Sequence, residues 1–265
     1  MLPLEDTLVR LGSVGARLSL RVPAGSYAIG AHELTDDGTV LAEAVRACQH
    51  WLGTDPEVAA SLFHKQWCVS VARVAVGAFT AERRVPDLLA EKTVLILDRM
   101  GRPTGASLRT PRLAVLPGDP DAAHPDTVVV ADEAALRDWL RARVIDGHLS
   151  GAVDAMGTLG LLSEEQLWGN VAAACAGALA VLSNRWVPID ELVAEAAELL
   201  DMPGAPTRGL ARLVPDEHGG SVKLHVRRET CCLHHCLPAD PPQCSSCPLL
   251  DEEERVRRRQ AHVAG

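Results

Sequence analysis

The feature that most restricts what this chain can become is a group of five cysteines near its C-terminal end. They lie between residues 231 and 247, whereas the other three of the eight cysteines are scattered through the remainder of the 265 residues. The intervening segment 237–243 contains Leu-Pro and Pro-Pro and loops the chain back, which brings Cys244 and Cys247 towards the earlier cysteines. Converging thiolates repel one another, and a bound cation offsets that repulsion. The sequence therefore predicts a metal site in this segment.

The spacing of these cysteines leaves two kinds of metal centre open. Cys231 and Cys236, taken with the Cys244-x2-Cys247 knuckle, form an imperfect version of the two pairs that build structural zinc sites. The adjacent pair Cys231-Cys232 is redundant for zinc, but an iron–sulfur cluster is wider and its ligands need not come from two identical knuckles. Spacing alone does not choose between zinc and an iron–sulfur cluster.

Two histidines, His234 and His235, lie inside the same loop. A Rieske-type centre places two histidines on one iron, but five cysteines are already available here. We therefore expect both histidines to support the site or to face solvent. The other three cysteines, Cys48, Cys68 and Cys175, occur in apolar helical sequence, which is typical of buried free thiols.

The cysteine pattern resembles the C-terminal signature of the ferric siderophore reductases, the FhuF-like family. In that family a Cys-Cys pair, a short spacer and a final Cys-x2-Cys hold a [2Fe-2S] cluster. The spacer between Cys232 and Cys244 has 11 residues here, one more than in that pattern. Other similar stretches are Arg227-Arg228 before the pair, Pro-Leu after the last cysteine, Leu167-Trp-Gly-Asn-Val-Ala-Ala-Ala and Phe63-His-Lys-Gln-Trp67.

The resemblance implies that Cys231, Cys232, Cys244 and Cys247 hold a [2Fe-2S] cluster, with Cys236 as a possible substitute for one of the first pair. It also implies a ferric-siderophore reductase, which adds one electron to chelated Fe(III) and releases Fe(II). The sequence contains no G-x-G-x-x-G after a predicted strand. We therefore expect an external electron donor, such as a ferredoxin or an NAD(P)H-dependent reductase.

The charge and the N-terminal sequence bear on partners and location. With 26 basic and 35 acidic residues the net charge is −9, which disfavours nucleic acid as a partner. Among siderophores, this charge favours neutral or cationic chelates, such as ferric hydroxamates, over anionic catecholates.

Acidic residues stand at the N-terminal positions where a signal peptide is basic, and the apolar runs are too short to cross a membrane. We expect a cytoplasmic protein without a membrane span.

The remainder of the sequence predicts an α+β protein that is mainly helical. Hydrophobic residues make up 47% and aromatic residues only 3%, so we expect an aliphatic core. The pattern predicts capping boxes that begin at Thr54 and at Ser163, a helix cap at Asp132 and a helix end at Gly147. Helices are predicted for residues 4–11, 39–52, 54–83, 132–145, 167–182 and 188–202, with an exposed helix from 252, and strands for 26–30, 94–97, 112–116, 127–130 and 221–227.

We divide the chain into two regions on this basis. Residues 1–160 form an N-terminal α+β region, in which the strands between residues 94 and 130 build one small sheet. Residues 161–265 form a helical region that carries the cluster-binding segment 221–250, and its iron–sulfur loop lies at the surface. Residues 204–220 read as an irregular Gly/Pro/Arg segment.

The predicted helix 54–83 is a candidate wall of a substrate cleft, as the resemblance implies. His64, Lys65 and Arg73 interrupt its apolar sequence and can donate hydrogen bonds to the carbonyl oxygens of a hydroxamate. Trp67 offers a flat apolar surface. The alternative is that these polar residues only solvate the helix.

Two other functions fit the same residues. One is a zinc-stapled binding protein without redox chemistry. The other is a [2Fe-2S] electron-transfer or iron-sensing protein that does not act on siderophores.

Overall fold

The computed structural model describes residues 2–12, 18–183, 187–218 and 221–263. The α-helices are α1 (Pro3–Leu11), α2 (Ala31–Asp36), α3 (Gly38–Leu52), α4 (Pro56–Glu82), α5 (Glu133–Leu140), α6 (Ser150–Thr158), α7 (Glu164–Ala180), α8 (Ile189–Leu200) and α9 (Glu252–Val263). The strands are β1 (Leu18–Ser19), β2 (Tyr27–Gly30), β3 (Arg84–Pro86), β4 (Thr93–Leu97), β5 (Pro103–Leu108), β6 (Leu113–Val115), β7 (Thr127–Val129), β8 (Ala211–His218) and β9 (Ser221–Arg228). The prediction of a mainly helical α+β protein is confirmed.

Helices α4 and α7 pack against each other at the centre of one hydrophobic core. Apolar residues surround α4 on nearly all sides, which is the pattern of a helix buried within a protein. The alanines of α7 leave little side-chain bulk, so its neighbours approach closely. The predicted capping box of α7 is confirmed, because Ser163 Oγ accepts from the Gln166 amide and Gln166 Oε1 accepts from the Ser163 amide. The two helices lie on opposite sides of the predicted boundary at residue 160.

Among the described residues the strands form three sheets. The strands between residues 94 and 130 divide between two of them, so the expectation that these strands build one sheet is wrong. One sheet has the order β1-β5-β4-β2, a second has the order β3-β6-β7, and β8 and β9 form a hairpin. The strand pairs β4–β5 and β2–β4 are antiparallel, whereas β1–β5 and β6–β7 are parallel. The pattern did not predict β5, because its Pro, Thr, Gly and Ser have weak strand propensity.

Two predicted helix ends differ from the structure. Helix α4 begins at Pro56 after Asp55, so Thr54 is not its cap. Asp132 caps α5 as predicted, accepting from the Ala135 amide at 2.8 Å. The helical chain does not stop at Gly147, because a π-helix (Arg141–Leu149) leads directly into α6. A Cβ at Gly147 would lie 2.6 Å from the Ala142 oxygen, so this glycine allows close packing and is not a helix terminator.

The segment expected to be irregular, residues 204–220, contains strand β8. Pro215 and the charged residues beside it obscure the alternation that marks a strand. Residues 219 and 220 lie outside the described part of the chain. Strand β8 pairs in antiparallel register with β9, from Ala211 opposite Arg228 to His218 opposite Ser221. This hairpin delivers the chain to the cysteine loop, as predicted for the strand at residues 221–227.

The C-terminal helix α9 is not simply exposed. Arg255 and Arg259 are each 5% exposed, and Arg259 pairs with Asp216 of β8. The i,i+3 and i,i+4 pattern of charges predicted the helix, but it did not show which side chains are buried. Across the described ranges, no helix is both long enough and apolar enough to cross a membrane.

Candidate metal centre

The cysteine loop begins with a close contact against α7. Thr230 packs on Gly169, where a Cβ would lie 1.9 Å from Thr230 Oγ1. Shortly afterwards Leu233 adopts a left-handed conformation, with φ of 58°. This turn directs the Leu233 amide to Cys231 Sγ at 3.4 Å. The backbone is therefore bent so that an N–H group supports a sulfur atom.

Four cysteines of the loop line one pocket. They are Cys231, Cys232, Cys244 and Cys247. The pocket's other lining residues include Arg228, Gln243, His234 and His235. The fifth cysteine, Cys236, does not line this pocket; its side chain is exposed and its Sγ lies 3.5 Å from His235 Nε2.

The sulfur atoms in this pocket share a charge environment. A hydrogen bond from the Cys244 thiol lowers the pKa of Cys232, and the charges of Lys65 and Arg228 lower it further, against the effect of burial. Lys65 Nζ donates to Cys232 Sγ at 3.7 Å. The same pairing with Cys232 raises the pKa of Cys244. Burial raises the pKa of Cys231.

Arg228 brings a positive charge into the interior beside these thiols. Arg228 is only 3% exposed. Its guanidinium donates to Asn170 Oδ1 at 2.6 Å and to the Thr230 carbonyl oxygen at 3.2 Å. Within the described ranges, none of the hydrogen bonds or ion pairs found for Arg228 involves a carboxylate. A buried cation needs a negative partner to offset its desolvation. Ionised cysteines in the adjoining pocket can supply that charge.

Hydrogen bonds from α4, from α9 and within the loop itself hold the two cysteine segments in place. Ser61 of α4 donates to the Cys232 oxygen at 3.0 Å. Arg255 of α9 donates through Nε to the Cys247 oxygen at 3.0 Å. The Cys247 amide bonds to the Cys244 oxygen at 2.9 Å, which closes the knuckle. The pocket is thus built by the packing of α4, α7 and α9 around the loop.

The donor set fits a metal centre of four thiolates. Four cysteines from two segments match the ligands of a [2Fe-2S] cluster and also those of a four-cysteine zinc site. The buried Arg228 and the nearby Lys65 suit the negative charge of either centre. In the arrangement described, no three His, Cys, Asp or Glu side chains of these ranges converge on one metal-ion position. The fit of a metal centre therefore rests on the donor chemistry of the four cysteines.

The structure separates the four predicted substrate-contacting residues. His64 and Trp67 are both 0% exposed, so their burial rules out the predicted contact with a ligand at the surface. Burial, followed by the charge of Arg228, lowers the pKa of His64 to about 3. Lys65 is half-buried at the cysteine pocket, and Arg73 is half-buried about two turns further along α4. Lys65 alone of the four contacts a cysteine of the pocket within the described residues.

Sequence reasoning missed the residues that support the loop. Ser61, Asn170 and Arg255 were not singled out, although Asn170 is a lone amide in an alanine-rich helix and could have been recognised for that reason.

The three isolated cysteines behave as predicted: Cys48, Cys68 and Cys175 are buried free thiols. Burial raises the pKa of Cys48 to about 11 and that of Cys175 to about 12.

Together, the fold and the site define a mainly helical α+β protein that presents a four-cysteine pocket on a C-terminal loop. The chain belongs to the FhuF-like ferric iron reductase family. The family profile described as "Ferric iron reductase FhuF-like transporter" matches residues 61–221. The matched range contains Lys65 and Asn170 and ends before the cysteine loop.

Solved structures of siderophore synthetases share part of this fold. Aerobactin synthetase IucA from a hypervirulent pathotype of Klebsiella pneumoniae superposes with a TM-score of 0.50 at 17% identity, over 71% of this chain and 33% of that chain. Its ATP-bound form gives the same values. This chain therefore matches about a third of the synthetase, and at this identity the likeness concerns the fold alone. No curated protein sequence matches the chain.

Proposed function

We propose that this protein is a ferric-siderophore reductase that transfers one electron to chelated Fe(III) through a [2Fe-2S] cluster held by Cys231, Cys232, Cys244 and Cys247. The observation that carries the proposal is the pocket in which these four thiols adjoin a buried arginine. Membership in a ferric iron reductase family supports the reaction class.

The cluster supplies a centre that accepts and donates one electron at a time. Residues of the chain would bind the cluster and set its reduction potential. The Leu233 amide and Lys65 Nζ donate to sulfur atoms, and Arg228 offsets the negative charge of the thiolates. Such hydrogen bonds and charges favour the reduced, more negative state.

The substrate in this proposal is Fe(III) wrapped in hard oxygen donors, of which a hydroxamate siderophore is the expected type. One electron converts Fe(III) to Fe(II), which attracts the anionic oxygens less because its charge is lower. As Fe(II) leaves, each freed hydroxamate group takes up one proton on its N–O⁻ oxygen. His234 and His235, which are half-buried at the pocket, can relay protons from solvent.

The electron that leaves must be replaced from outside the chain. We propose a ferredoxin or an NAD(P)H-dependent reductase as the donor, and the cytosol as the compartment, where free thiols persist.

A spectrum followed by a single-turnover assay tests the proposal. Freshly purified protein should be red-brown and should contain iron and acid-labile sulfide. After reduction by dithionite and removal of the excess, it should produce Fe(II) from a ferric tris-hydroxamate faster than a protein-free control, as measured with a ferrous-specific chelator.

The other outcomes identify the rival functions. Colourless protein that contains zinc and no iron would indicate a zinc-stapled protein. Red-brown protein that is reoxidised no faster by the ferric chelate than by buffer would indicate electron transfer or iron sensing without siderophore reduction.

A further inference from the structure

An open groove lies beside the cysteine pocket, between α4, α7 and β9. It is open to solvent and has a cavity volume of about 130 Å³, which is room for one lobe of a larger ligand. The space exists because the α7 side of the groove is lined by Ala173 and Ala174, whose side chains are short. Val69 of α4 and Val226 of β9 add apolar walls.

The polar residues of this groove are all capable of donating hydrogen bonds. They are Lys65, Asn170, Arg228 and Ser246, and none of the residues that line the groove is acidic. A ligand that presents several oxygen acceptors and little positive charge complements such a lining. The carbonyl and N–O oxygens of a hydroxamate chelate have this character.

The groove and the cysteine pocket share a wall. Arg228 lines both spaces, and Lys65 lines the groove while its Nζ bonds to Cys232 Sγ at 3.7 Å. Ser246, within the Cys244–Cys247 knuckle, also lines the groove. A ligand in the groove is therefore separated from the cysteines by a single layer of side chains.

We infer that this groove is where the ferric chelate docks, with one lobe of a neutral, oxygen-rich chelate against Val69 and Ala173 and its carbonyl oxygens towards Lys65 and Arg228. The inference rests on the proposed function and adds the place and the side chains of substrate binding.

The test fills the groove and measures binding without electron transfer. Ala173→Phe and, from the facing helix, Val69→Phe place a ring in the groove; both positions are half-buried and can accept added bulk at the surface. Ala180→Phe is the control, because it is also half-buried on α7 but lies about two turns beyond Ala173, outside the groove. The probe is the gallium(III) complex of a tris-hydroxamate, which binds like the ferric complex but is not reduced.

For the cluster-loaded proteins we expect the dissociation constant of the gallium chelate to rise at least tenfold in Ala173→Phe and Val69→Phe, and to stay within twofold of the wild type in Ala180→Phe. Circular dichroism and the cluster spectrum establish that each variant is folded and loaded. Unchanged gallium-chelate affinity in both groove variants, with ferric chelate still reduced, would overturn the groove and leave the reductase function standing. Failure of wild-type protein both to bind the gallium chelate and to reduce the ferric chelate would overturn both proposals.

Discussion

Lys65 and Arg228 each bring a positive charge close to the cysteine pocket, where several sulfur atoms can be negative. Arg228 is buried and is oriented by Asn170 Oδ1, whereas Lys65 is half-buried and reaches Cys232 Sγ directly. A charge close to a redox centre in a poorly solvated site changes its potential more than a charge in water does. If the proposed [2Fe-2S] cluster is bound, each residue should therefore shift its reduction potential, which can be measured separately from substrate binding.

The first prediction concerns Lys65. Lys65→Met removes a positive charge and a hydrogen bond from the cysteine pocket, so the reduction potential of the cluster should fall by tens of millivolts. A potentiometric titration followed by absorbance measures this shift. Lys223→Met is the control, because Lys223 is an exposed lysine on β9 and should leave the potential unchanged. Equal potentials in all three proteins would contradict the role assigned to Lys65.

The second prediction concerns which cysteines are ligands. Cys236→Ser should keep its colour and iron content, because the Cys236 side chain is exposed and does not line the pocket. Cys244→Ser and Cys247→Ser should lose both, since a thiolate ligand is removed. Iron analysis and the visible spectrum report the result. If Cys236→Ser bleaches the protein and Cys232→Ser does not, the set of ligands is the alternative one that includes Cys236.

At the scale of elements, α7 is the helix on which the cysteine loop depends. Gly169 allows Thr230 to lie directly on the helix, and one position later Asn170 bonds to Arg228. The adjacent residues of one helix thus locate both the start of the loop and its buried charge. A helix with larger side chains at these positions would hold the loop further away.

The third prediction tests this contact. In Gly169→Ala the new methyl group overlaps Thr230, and overpacking of this kind costs about 1–3 kcal/mol. Gly177→Ala, on the same helix, meets no atom within 4 Å and should stabilise the protein by up to about 1 kcal/mol. Chemical denaturation measures both changes, and iron content should fall in Gly169→Ala alone. A Gly169→Ala protein as stable and as fully loaded as Gly177→Ala would show that the contact does not locate the loop.

At the scale of the whole molecule, two buried histidines lie on the core helices. His148, in the π-helix, accepts from Trp67 Nε1 at 2.9 Å, and its Nδ1 lies 2.5 Å from the Leu88 oxygen. Burial lowers the pKa of His148 to about 4 and that of His64 to about 3. Both are neutral in the folded protein at neutral pH and take up protons on unfolding in mild acid.

The fourth prediction follows from the sign of this linkage. The unfolded state binds more protons below the ordinary histidine pKa of about 6.5, so stability is complete above that pH and declines as the pH falls towards 4. His148 contributes a loss of up to about 3 kcal/mol by pH 4. Denaturation curves between pH 7 and pH 4 should show this decline. His148→Gln should reduce the slope by up to one proton, whereas His50→Gln, at an exposed position, should not alter it. Equal slopes in all three proteins would contradict the prediction.

Local sequence patterns determined much of the secondary structure of this protein. The positions of the main helices followed from apolar periodicity and from caps such as Ser163 and Asp132, because these signals lie within one turn of the residues they order. The crowding of five cysteines between residues 231 and 247 likewise indicated that several thiols would lie close together, since residues so near in sequence are necessarily near in space.

Contacts between distant segments were decided only by the tertiary structure. Trp67 and His64 looked like surface residues of a helix, but the packing of α7 on α4 buries both. The sequence places Arg228 at the end of a strand, and only the fold shows that it is buried and bonded to Asn170, 58 residues away in the chain. The strands between residues 94 and 130 were expected to form one sheet but divide between two, because strand pairing depends on which segments meet and not on their propensities alone. Burial and partners of this kind arise from the whole fold, so no local pattern records them.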